Sequence, residues 1–398
     1  MQVNIPVILF EIMITWREYI EAEDTSSRRE YGRMCSGITL LRQGRALLAM
    51  LPNENFRVLS SGFTNGGVME SPEAVVNVTG MGGQVEYDVM KGGLDENDAC
   101  GLTYAKKLGL DPSKTVLLGT AANMDNAAVR SIVSDDGICI SAAITAGIDH
   151  NGGRSGDPAT YDESVARHVT NSGTIITIMV IDADLSEGAL FQAMLMAAEA
   201  KSCVIQELQA RSLYSRSIAT GSGTDQVAVI SNTASGNKIE SIDRSSHLAH
   251  AIADCIKQAL PEAFERQAGM DAKRQWDPFM QMKRYGVGVE TMHDDIRQSA
   301  TMKEIEAALD KMHTDRQLAA TVSVILGIAD DVSAGLIRAD SGLDAAKRIA
   351  ERMLIRDLKD PAELLRFGSF DDIPKLLSYS MAIRLKAVIE EGRCADAE

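Results

Sequence analysis

The stretch that decides the fold is residues 173–232, GTIITIMVIDADLSEGALFQAMLMAAEAKSCVIQELQARSLYSRSIATGSGTDQVAVISN. Two apolar runs in it, Ile175–Ile181 and Gln226–Ile230, are rich in β-branched residues and predict buried strands. A long helical pattern lies between them, and we place its start at Ser186 because a serine side chain can cap the first free N–H groups. The Gly/Ser/Thr loop Gly221–Asp225 leads into the second strand.

The predicted helix carries one charge, Lys201, on its apolar face. At about 100° per residue, this face is shared by Leu190, Met194, Ala197, Val204, Ile205 and Leu208. An unpaired ammonium in an apolar interior is costly, so Lys201 must reach solvent, lose its proton or meet a carboxylate. By chain position the candidate partners are Asp182, Asp184 and Asp225. A functional site and a structural ion pair are both open interpretations, and we favour the site.

Composition restricts the class of protein. The chain has 398 residues, enough for two domains, and 40 Lys and Arg against 56 Asp and Glu give a net charge of −16. This balance argues against nucleic acid as a partner and against a basic membrane-binding patch. Six cysteines without a CxxC spacing are typical of a reducing compartment. We expect a cytoplasmic protein with no membrane span, and a homo-oligomer is compatible with this sequence.

The distribution of patterns predicts the fold class. Short apolar runs alternate with helical patterns over 56–260, which predicts an α/β fold, a layered α+β sandwich with a mixed sheet. From about residue 261 helical patterns take over, which predicts an all-α C-terminal domain. We therefore divide the chain into an N-terminal extension packed on the core (1–55), a central domain (56–260) and a helical domain (261–398). Helices are also expected over Arg17–Arg33 and Asp125–Val133.

One candidate binding segment is GTAANMDNA, residues 119–127, at the end of a predicted strand. Asn123, Asp125 and Asn126 supply two side-chain amides and a carboxylate within four residues. A helix cap would need only Asp125. We therefore assign all three to substrate binding.

A second candidate segment is the loop GSGTD, residues 221–225, with Thr220 before it. The hydroxyls of Thr220, Ser222 and Thr224, with free backbone N–H groups, can cradle an amide oxygen or an anion. In HNGGRSGDP (150–158) turn chemistry explains the Gly and Pro residues but not Arg154, which we also assign to substrate binding. His247 and His250 stand one helical turn apart without a third ligand nearby, so we expect no metal site.

Taken together, these segments resemble the adenosylcobinamide amidohydrolase family, the CbiZ-type corrinoid salvage enzymes. The resemblance spans about 57–260 and is carried by VLSSGFTNGG (58–67), VVNVT (75–79), GTAANMDNAAV (119–129), ITAGI (144–148), GRSGDPATY (153–161), SGTIITIMVIDADLS (172–186), AAEAKSCVIQELQARSLYS (197–215) and ATGSGTDQVAV (219–229). It implies hydrolysis of the aminopropanol amide of adenosylcobinamide to adenosylcobyric acid and 1-aminopropan-2-ol, in vitamin B12 salvage. The corrinoid partner brings its own cobalt, so no further cofactor is expected.

Amide hydrolysis needs a nucleophile, donors for the developing oxyanion and a proton for the leaving amine. From chemistry and position we expect Asp225 or Lys201 as the base and Thr224 or a water as the nucleophile. The oxyanion donors would be the N–H groups of 221–224 with Asn123 or Asn126. Two alternatives stay open: a non-catalytic corrinoid sensor or carrier, and an amidohydrolase of another substrate.

Overall fold

A computed structural model of the chain describes residues 23–79, 101–159, 161–162, 167–168, 173–292, 300–354 and 361–395. The chain forms two compact units. The first comprises the described residues of Met1–Asn151, Pro158–Val204 and Gly221–Gly269, and the second those of Gly152–Asp157, Ile205–Thr220 and Met270–Glu398. The N-terminal part of the predicted helix Arg17–Arg33, up to residue 22, lies outside the described residues.

Most strands of the first unit form two mixed sheets. In chain order the strands of both units, of which β10 belongs to the second, are β1 (Arg28–Arg33), β2 (Thr39–Gln43), β3 (Ala46–Met50), β4 (Phe56–Ser60), β5 (Gly67–Glu70), β6 (Ala74–Thr79), β7 (Thr115–Thr120), β8 (Ala128–Val133), β9 (Cys139–Gly147), β10 (Gly152–Gly153), β11 (Tyr161–Asp162), β12 (Arg167–His168), β13 (Thr174–Ile181), β14 (Asp184–Leu185), β15 (Gly221–Ser222), β16 (Gln226–Asn232) and β17 (Lys238–Ile239). Sheet A has the order β1-β2-β3-β6-β7, and sheet B the order β5-β4-β16-β13-β9-β8. Neighbours are antiparallel except β6 with β7 and β13 with β16.

The two sheets enclose one hydrophobic core. Val75 and Leu118 of sheet A are fully buried in the same cluster as Val58, Ile176 and Ile230 of sheet B. Because strand residues alternate between faces, every second residue of these strands enters this core. Each such side chain contributes about 1.5–3 kcal/mol when it leaves water. The outer face of sheet A forms a second cluster with a helical segment over 101–107.

The organising stretch folds as its pattern predicts. β13 and β16 lie side by side and parallel, with Ile176 opposite Gln226, and helix α1 (Glu187–Glu207) connects them. The helix begins after Ser186, whose Oγ accepts the backbone N–H of Ala189 at 3.1 Å. Both the strands and the cap were expected from the sequence, and both predictions are confirmed.

Helix α1 is long and apolar enough to cross a membrane, judged by length and composition alone. Among the described helices it is the one that passes this test, with 39% of its most apolar window buried. Its buried residues are Ala189, Leu190, Ala193, Ala197, Ala200, Val204 and Ile205. Burial of one face, with a lysine beside it, is typical of a core helix in a layered fold.

Two predicted helices are wrong over the residues that the structure describes. Residues 128–133, inside the expected helix Asp125–Val133, form strand β8, paired antiparallel with β9. Residues 28–33 form strand β1, paired antiparallel with β2. Short apolar or charged runs do not distinguish helix from strand by periodicity, and here an available sheet edge decides.

All elements described after β17 are helical. The helices are α2 (His247–Ala268), α3 (Pro278–Met282), α4 (Met302–Thr314), α5 (Arg316–Ser333), α6 (Ala339–Ile349) and α7 (Ile373–Ala395), with short 3₁₀ and π turns between them. α2 packs on β8 and β9 in the first unit, and the helices from α3 onward share a separate core in the second. This confirms the predicted fold class, a layered α/β sandwich with mixed sheets followed by an all-α region. The predicted limit at 260/261 falls inside α2, and the domain limits stay predictions.

Candidate functional site

The carboxylate of Asp225 is the centre of the Gly-rich loop. Its Oδ2 accepts the ammonium of Lys201 at 2.6 Å and the backbone N–H of Ser222 at 3.0 Å. Its Oδ1 accepts the Oγ hydroxyl of Ser222 at 2.6 Å and the backbone N–H of Ile175 at 3.0 Å. One side chain thus joins helix α1, the loop and the start of β13.

The ion pair identifies Asp225 as the partner of Lys201 among the three acids proposed from the sequence. Of the three candidates, Asp182 instead accepts hydrogen bonds from Ser36 at 2.8 Å and Asn232 at 2.7 Å. The side chains of Lys201 and Asp225 are 18% and 12% exposed. Little water therefore screens the pair, and its electrostatic attraction is stronger than that of a surface pair.

Gly221 permits this close packing. A Cβ atom at Gly221 would lie 2.3 Å from Oδ2 of Asp225 and 2.8 Å from Nζ of Lys201. At Gly223 an added Cβ would meet nothing within 4 Å, and the residue is exposed. The loop therefore closes over the ion pair at one glycine and opens to solvent at the other.

The two hydroxyls of the loop have different partners. Oγ of Ser222 donates to a carboxylate, whereas Oγ1 of Thr224 lies 2.6 Å from Oγ1 of Thr174 and donates to the carbonyl of Gly173 at 3.1 Å. Neither partner of Thr224 is a base at neutral pH. Within the described residues, Ser222 is therefore the loop hydroxyl that has a carboxylate next to its proton.

The predicted Asn/Asp bend is held by other elements. Asn123 Oδ1 accepts the N–H of Asp125 at 3.0 Å and so caps a short 3₁₀ turn. Asn126 donates to Oε1 of Gln267 on α2 at 2.9 Å, and Asp125 pairs with Arg29 at 2.6 Å. In the part of the chain described, no hydrogen bond joins this bend to Lys201 or Asp225.

A neighbouring contact brings the two segments close in the fold. The N–H of Gly119, at the end of β7, donates to Oε1 of Gln226 at 2.8 Å. Gln226 directly follows Asp225, and Gly119 begins the segment that contains the bend. Strand β7, which leads into the Asn/Asp bend, is therefore hydrogen-bonded to the first residue of β16, which follows the Gly-rich loop.

Arg154 and Thr220 belong to the second compact unit. Arg154 donates through Nη1 to the carbonyl of Ile218 at 3.2 Å, and Oγ1 of Thr220 accepts the N–H of Ser155 at 3.0 Å. Burial by itself raises the pKa of the Asp157 carboxyl, but hydrogen bonds from Ser212, Ser215 and the N–H of Arg154 together outweigh it and hold that pKa below its usual range. The assignment of Arg154 and Thr220 to substrate binding stays a prediction.

Sequence reasoning missed a buried polar pair in the sandwich. Asn77 of β6 is 2% exposed and donates to Oγ1 of Thr145 on β9 at 2.9 Å, between the two sheets. Its Oδ1 has no hydrogen-bond partner among the described residues. The sequence contains one signal that could have revealed this pair, the single Asn inside the apolar run VVNVT. A buried amide side chain normally needs a hydrogen-bond partner, so this Asn predicts one on a neighbouring strand.

The two histidines spaced like metal ligands have other partners. His247 lies 2.9 Å from Asp136, which raises the pKa of the imidazole, and His250 lies 3.4 Å from Asp254. Over the described ranges, no group of three His, Cys, Asp or Glu side chains is placed to hold a metal ion.

The substitution Gly221→Ala should lower the free energy of unfolding by about 1–3 kcal/mol, because its methyl group meets a carboxylate fixed by four hydrogen bonds. Gly223→Ala, in the same loop but in open space, is the matched control and should change stability by less than about 1 kcal/mol. Urea unfolding monitored by circular dichroism measures both. Equal stabilities of the two variants would contradict the close approach at Gly221.

Comparison with known proteins identifies the family. The family model described as CbiZ, adenosylcobinamide amidohydrolase, matches residues 34–272. The uncharacterized protein MJ1613 of Methanocaldococcus jannaschii is 32% identical over 173 residues, 40% of this chain and 67% of the relative. The crystal structure of the PH0078 protein from Pyrococcus horikoshii OT3 covers 63% of this chain and 86% of its own, at 12% identity and a TM-score of 0.30, too low to support an argument. Since the family model spans more than half of the sequence, this chain belongs to the adenosylcobinamide amidohydrolase family.

Proposed function

We propose that this protein hydrolyses the amide between the aminopropanol arm and the corrin ring of adenosylcobinamide, releasing adenosylcobyric acid and 1-aminopropan-2-ol. Family membership supports the reaction class. The observation that carries the proposal is the grouping of a hydroxyl, a carboxylate and an ammonium around Asp225, with hydrogen bonds of 2.6 Å to both Ser222 and Lys201. We place this activity in the cytoplasm, with the corrinoid as the partner.

In this proposal Ser222 is the nucleophile. Its Oγ attacks the amide carbon and its proton passes to Oδ1 of Asp225, which already accepts that hydrogen bond. The proton then moves to the leaving nitrogen, the C–N bond breaks, and water hydrolyses the resulting ester of Ser222. Thr224, one of the two nucleophiles expected from the sequence, has a carbonyl and a hydroxyl as partners, so the geometry favours Ser222 over Thr224.

The hydrogen bonds of Asp225 argue against direct attack by a water. A carboxylate has about four lone-pair positions. All four are used by Lys201, Ile175 and the two donors of Ser222. A water would have to displace one of these donors before Asp225 could take its proton, whereas Ser222 is already in position.

In this mechanism the oxyanion is stabilised on the exposed side of the loop Gly221–Asp225. The N–H of Gly223 makes no hydrogen bond within the described chain, and the open space at this residue gives a substrate access to it. Lys201 supplies a positive charge at this loop, through its ion pair with Asp225. Backbone N–H groups and a fixed cation are the donors that stabilise tetrahedral intermediates of acyl transfer.

The remaining predicted substrate contacts are Asn123, Asp125, Asn126, Arg154 and Thr220. Asn123 and Asn126 retain polar atoms beyond those used in the bend, since an amide side chain offers both donors and acceptors. We propose that these two asparagines contact the amides at the periphery of the corrin ring.

A second candidate function is corrinoid binding without catalysis, as a sensor or carrier. The complete satisfaction of Asp225 favours it, because the same four hydrogen bonds would serve a purely structural lock. An amidohydrolase of another substrate is the third reading. Incubating the purified protein with adenosylcobinamide, and with other corrinoid amides, and separating the products by chromatography distinguishes all three.

The Ser222→Ala variant should lower kcat/KM by at least about 1,000-fold, as expected for loss of a nucleophile. Thr224→Val should lower it by no more than about tenfold, the equivalent of one neutral hydrogen bond. Steady-state assays of adenosylcobyric acid formation measure both. The reverse order of the two losses would assign the attack to Thr224.

The Lys201→Met variant should lower kcat/KM by at least about 100-fold, because it removes the cation that this mechanism uses to stabilise the oxyanion. Lys114→Met is the matched control, since Lys114 also pairs with a carboxylate, that of Glu54 at 3.2 Å, but on the exposed surface. It should retain wild-type turnover. Full activity of Lys201→Met, with the fold verified by circular dichroism, would eliminate the proposed site.

We propose that hydrolysis needs no metal held by the protein, because the reacting groups are a hydroxyl, a carboxylate, an ammonium and an amide N–H. The cobalt belongs to the substrate. Turnover of adenosylcobinamide should therefore be unchanged after dialysis against a chelator that leaves the corrinoid intact. Activity lost on chelation and restored by a divalent cation would contradict this mechanism.

A further inference from the structure

The second unit contains a groove unrelated to the Asp225 loop. Its volume is about 620 Å³, within the range of about 300–1,000 Å³ usual for sites that bind small molecules. The apolar part of its lining includes Val287, Met292, Phe367 and Ala382, all buried members of the helical core. The polar part comes from Thr291, from the segment before α7 and from the first turns of that helix.

Most polar groups in this groove are already committed. Asp372 accepts the N–H groups of Gly368 and Ser369, both at 3.0 Å, and the ammonium of Lys375 at 2.8 Å. Lys375 is the main cause that holds the pKa of Asp372 well below its usual range, so both groups are charged and paired. The hydroxyl of Ser378 donates to Thr291, at 3.2 Å to the carbonyl.

Arg366 differs from these groups. It is exposed, and within the described residues its guanidinium makes neither a hydrogen bond nor an ion pair. Its Cζ lies 3.8 Å from the ring centroid of Tyr379 and 4.8 Å from that of Phe367. Tyr379 is itself fixed by a hydrogen bond to Glu363. The aromatic rings therefore hold the guanidinium in place, while its N–H donors meet no acceptor in the described part of the chain.

Among the described lining residues, the charge that has no counterion is therefore positive, and it lies beside apolar side chains. A guanidinium presents planar, paired donors that match the oxygens of carboxylate and phosphate groups. Such a cation next to an apolar surface recognises an anion that carries an apolar body. A cationic ligand finds no free carboxylate among the described lining residues, because Asp372 is already paired.

We propose that this groove binds a small amphipathic oxyanion, an apolar body that carries one carboxylate or phosphate group. The oxyanion binds Arg366, and the apolar body lies against Pro374 and Tyr379, which are half-buried members of the lining. This ligand binding does not depend on the amide hydrolysis proposed above. The helical region thereby gains a ligand-binding role of its own.

Binding to the full-length chain can be measured by saturation-transfer NMR with three probes that share a ring: phenyl phosphate, phenylacetate and benzyl alcohol. At least one anionic probe should bind at least tenfold more tightly than the neutral alcohol. The stronger of the two anions identifies the oxyanion. Equal binding of the alcohol and both anions, or binding of none of the probes, would overturn the proposal.

Arg366→Gln should abolish the preference for the anion, and Arg366→Lys should keep part of it, since the charge remains while the planar donors are lost. Arg338→Gln is the matched control, because Arg338 is an exposed arginine paired with Asp340 at 2.9 Å and does not line the groove. Thermal melts by circular dichroism verify that all variants fold. An unchanged preference in Arg366→Gln would overturn the assignment of Arg366.

Discussion

In the first unit, the contacts between the loop Gly221–Asp225, helix α1 and the start of β13 depend on one carboxylate, that of Asp225. Asp225 is only 12% exposed, and a carboxylate in that environment is costly unless donors replace the water it loses. Its donors come from Lys201 on α1, from the loop and from the first residues of β13. Gly221 leaves room for them, since any side chain there would occupy the position of the ion pair. The geometry of the loop, and with it the position of Ser222, follows from satisfying this charge.

The parallel pairing of β13 and β16 fixes the position of this carboxylate in the fold. Both strands begin at the same edge of sheet B, so the residues that precede them, Gly173 and Asp225, are neighbours. β7 of sheet A ends at this edge as well, as the hydrogen bond of 2.8 Å from Gly119 to Gln226 demonstrates. Two segments more than 90 residues apart in sequence thus meet because of strand direction, a property that neither segment encodes by itself.

The sequence predicted the secondary structure correctly where the apolar pattern was long and where strand composition and helix capping indicated the same elements. Strand, capped helix, Gly loop and strand over 173–232 were all recognisable, because the β-branched runs and the cap of Ser186 point to the same elements. It failed at β8, where six residues fit either helix or strand and the partner β9 decides. It identified Lys201 as a group in need of a partner, but choosing Asp225 over Asp182 required the fold. Asn77 and Thr145 were not found because an isolated polar residue in a strand forms no local motif.

The same ion pair can serve both the resting fold and the proposed reaction, by an argument from charge. At rest Lys201 and Asp225 neutralise each other at 2.6 Å. When the proton of Ser222 passes to Asp225, the carboxylate becomes neutral, and an oxyanion forms on the substrate at the same time. The ammonium then loses its former counterion and gains a new one, in a site where little water screens the interaction. Its attraction is thereby transferred to the tetrahedral state, and an interaction made only in that state raises kcat rather than substrate affinity. A lysine paired with a carboxylate on an exposed surface would contribute far less, because water would already have stabilised both charges.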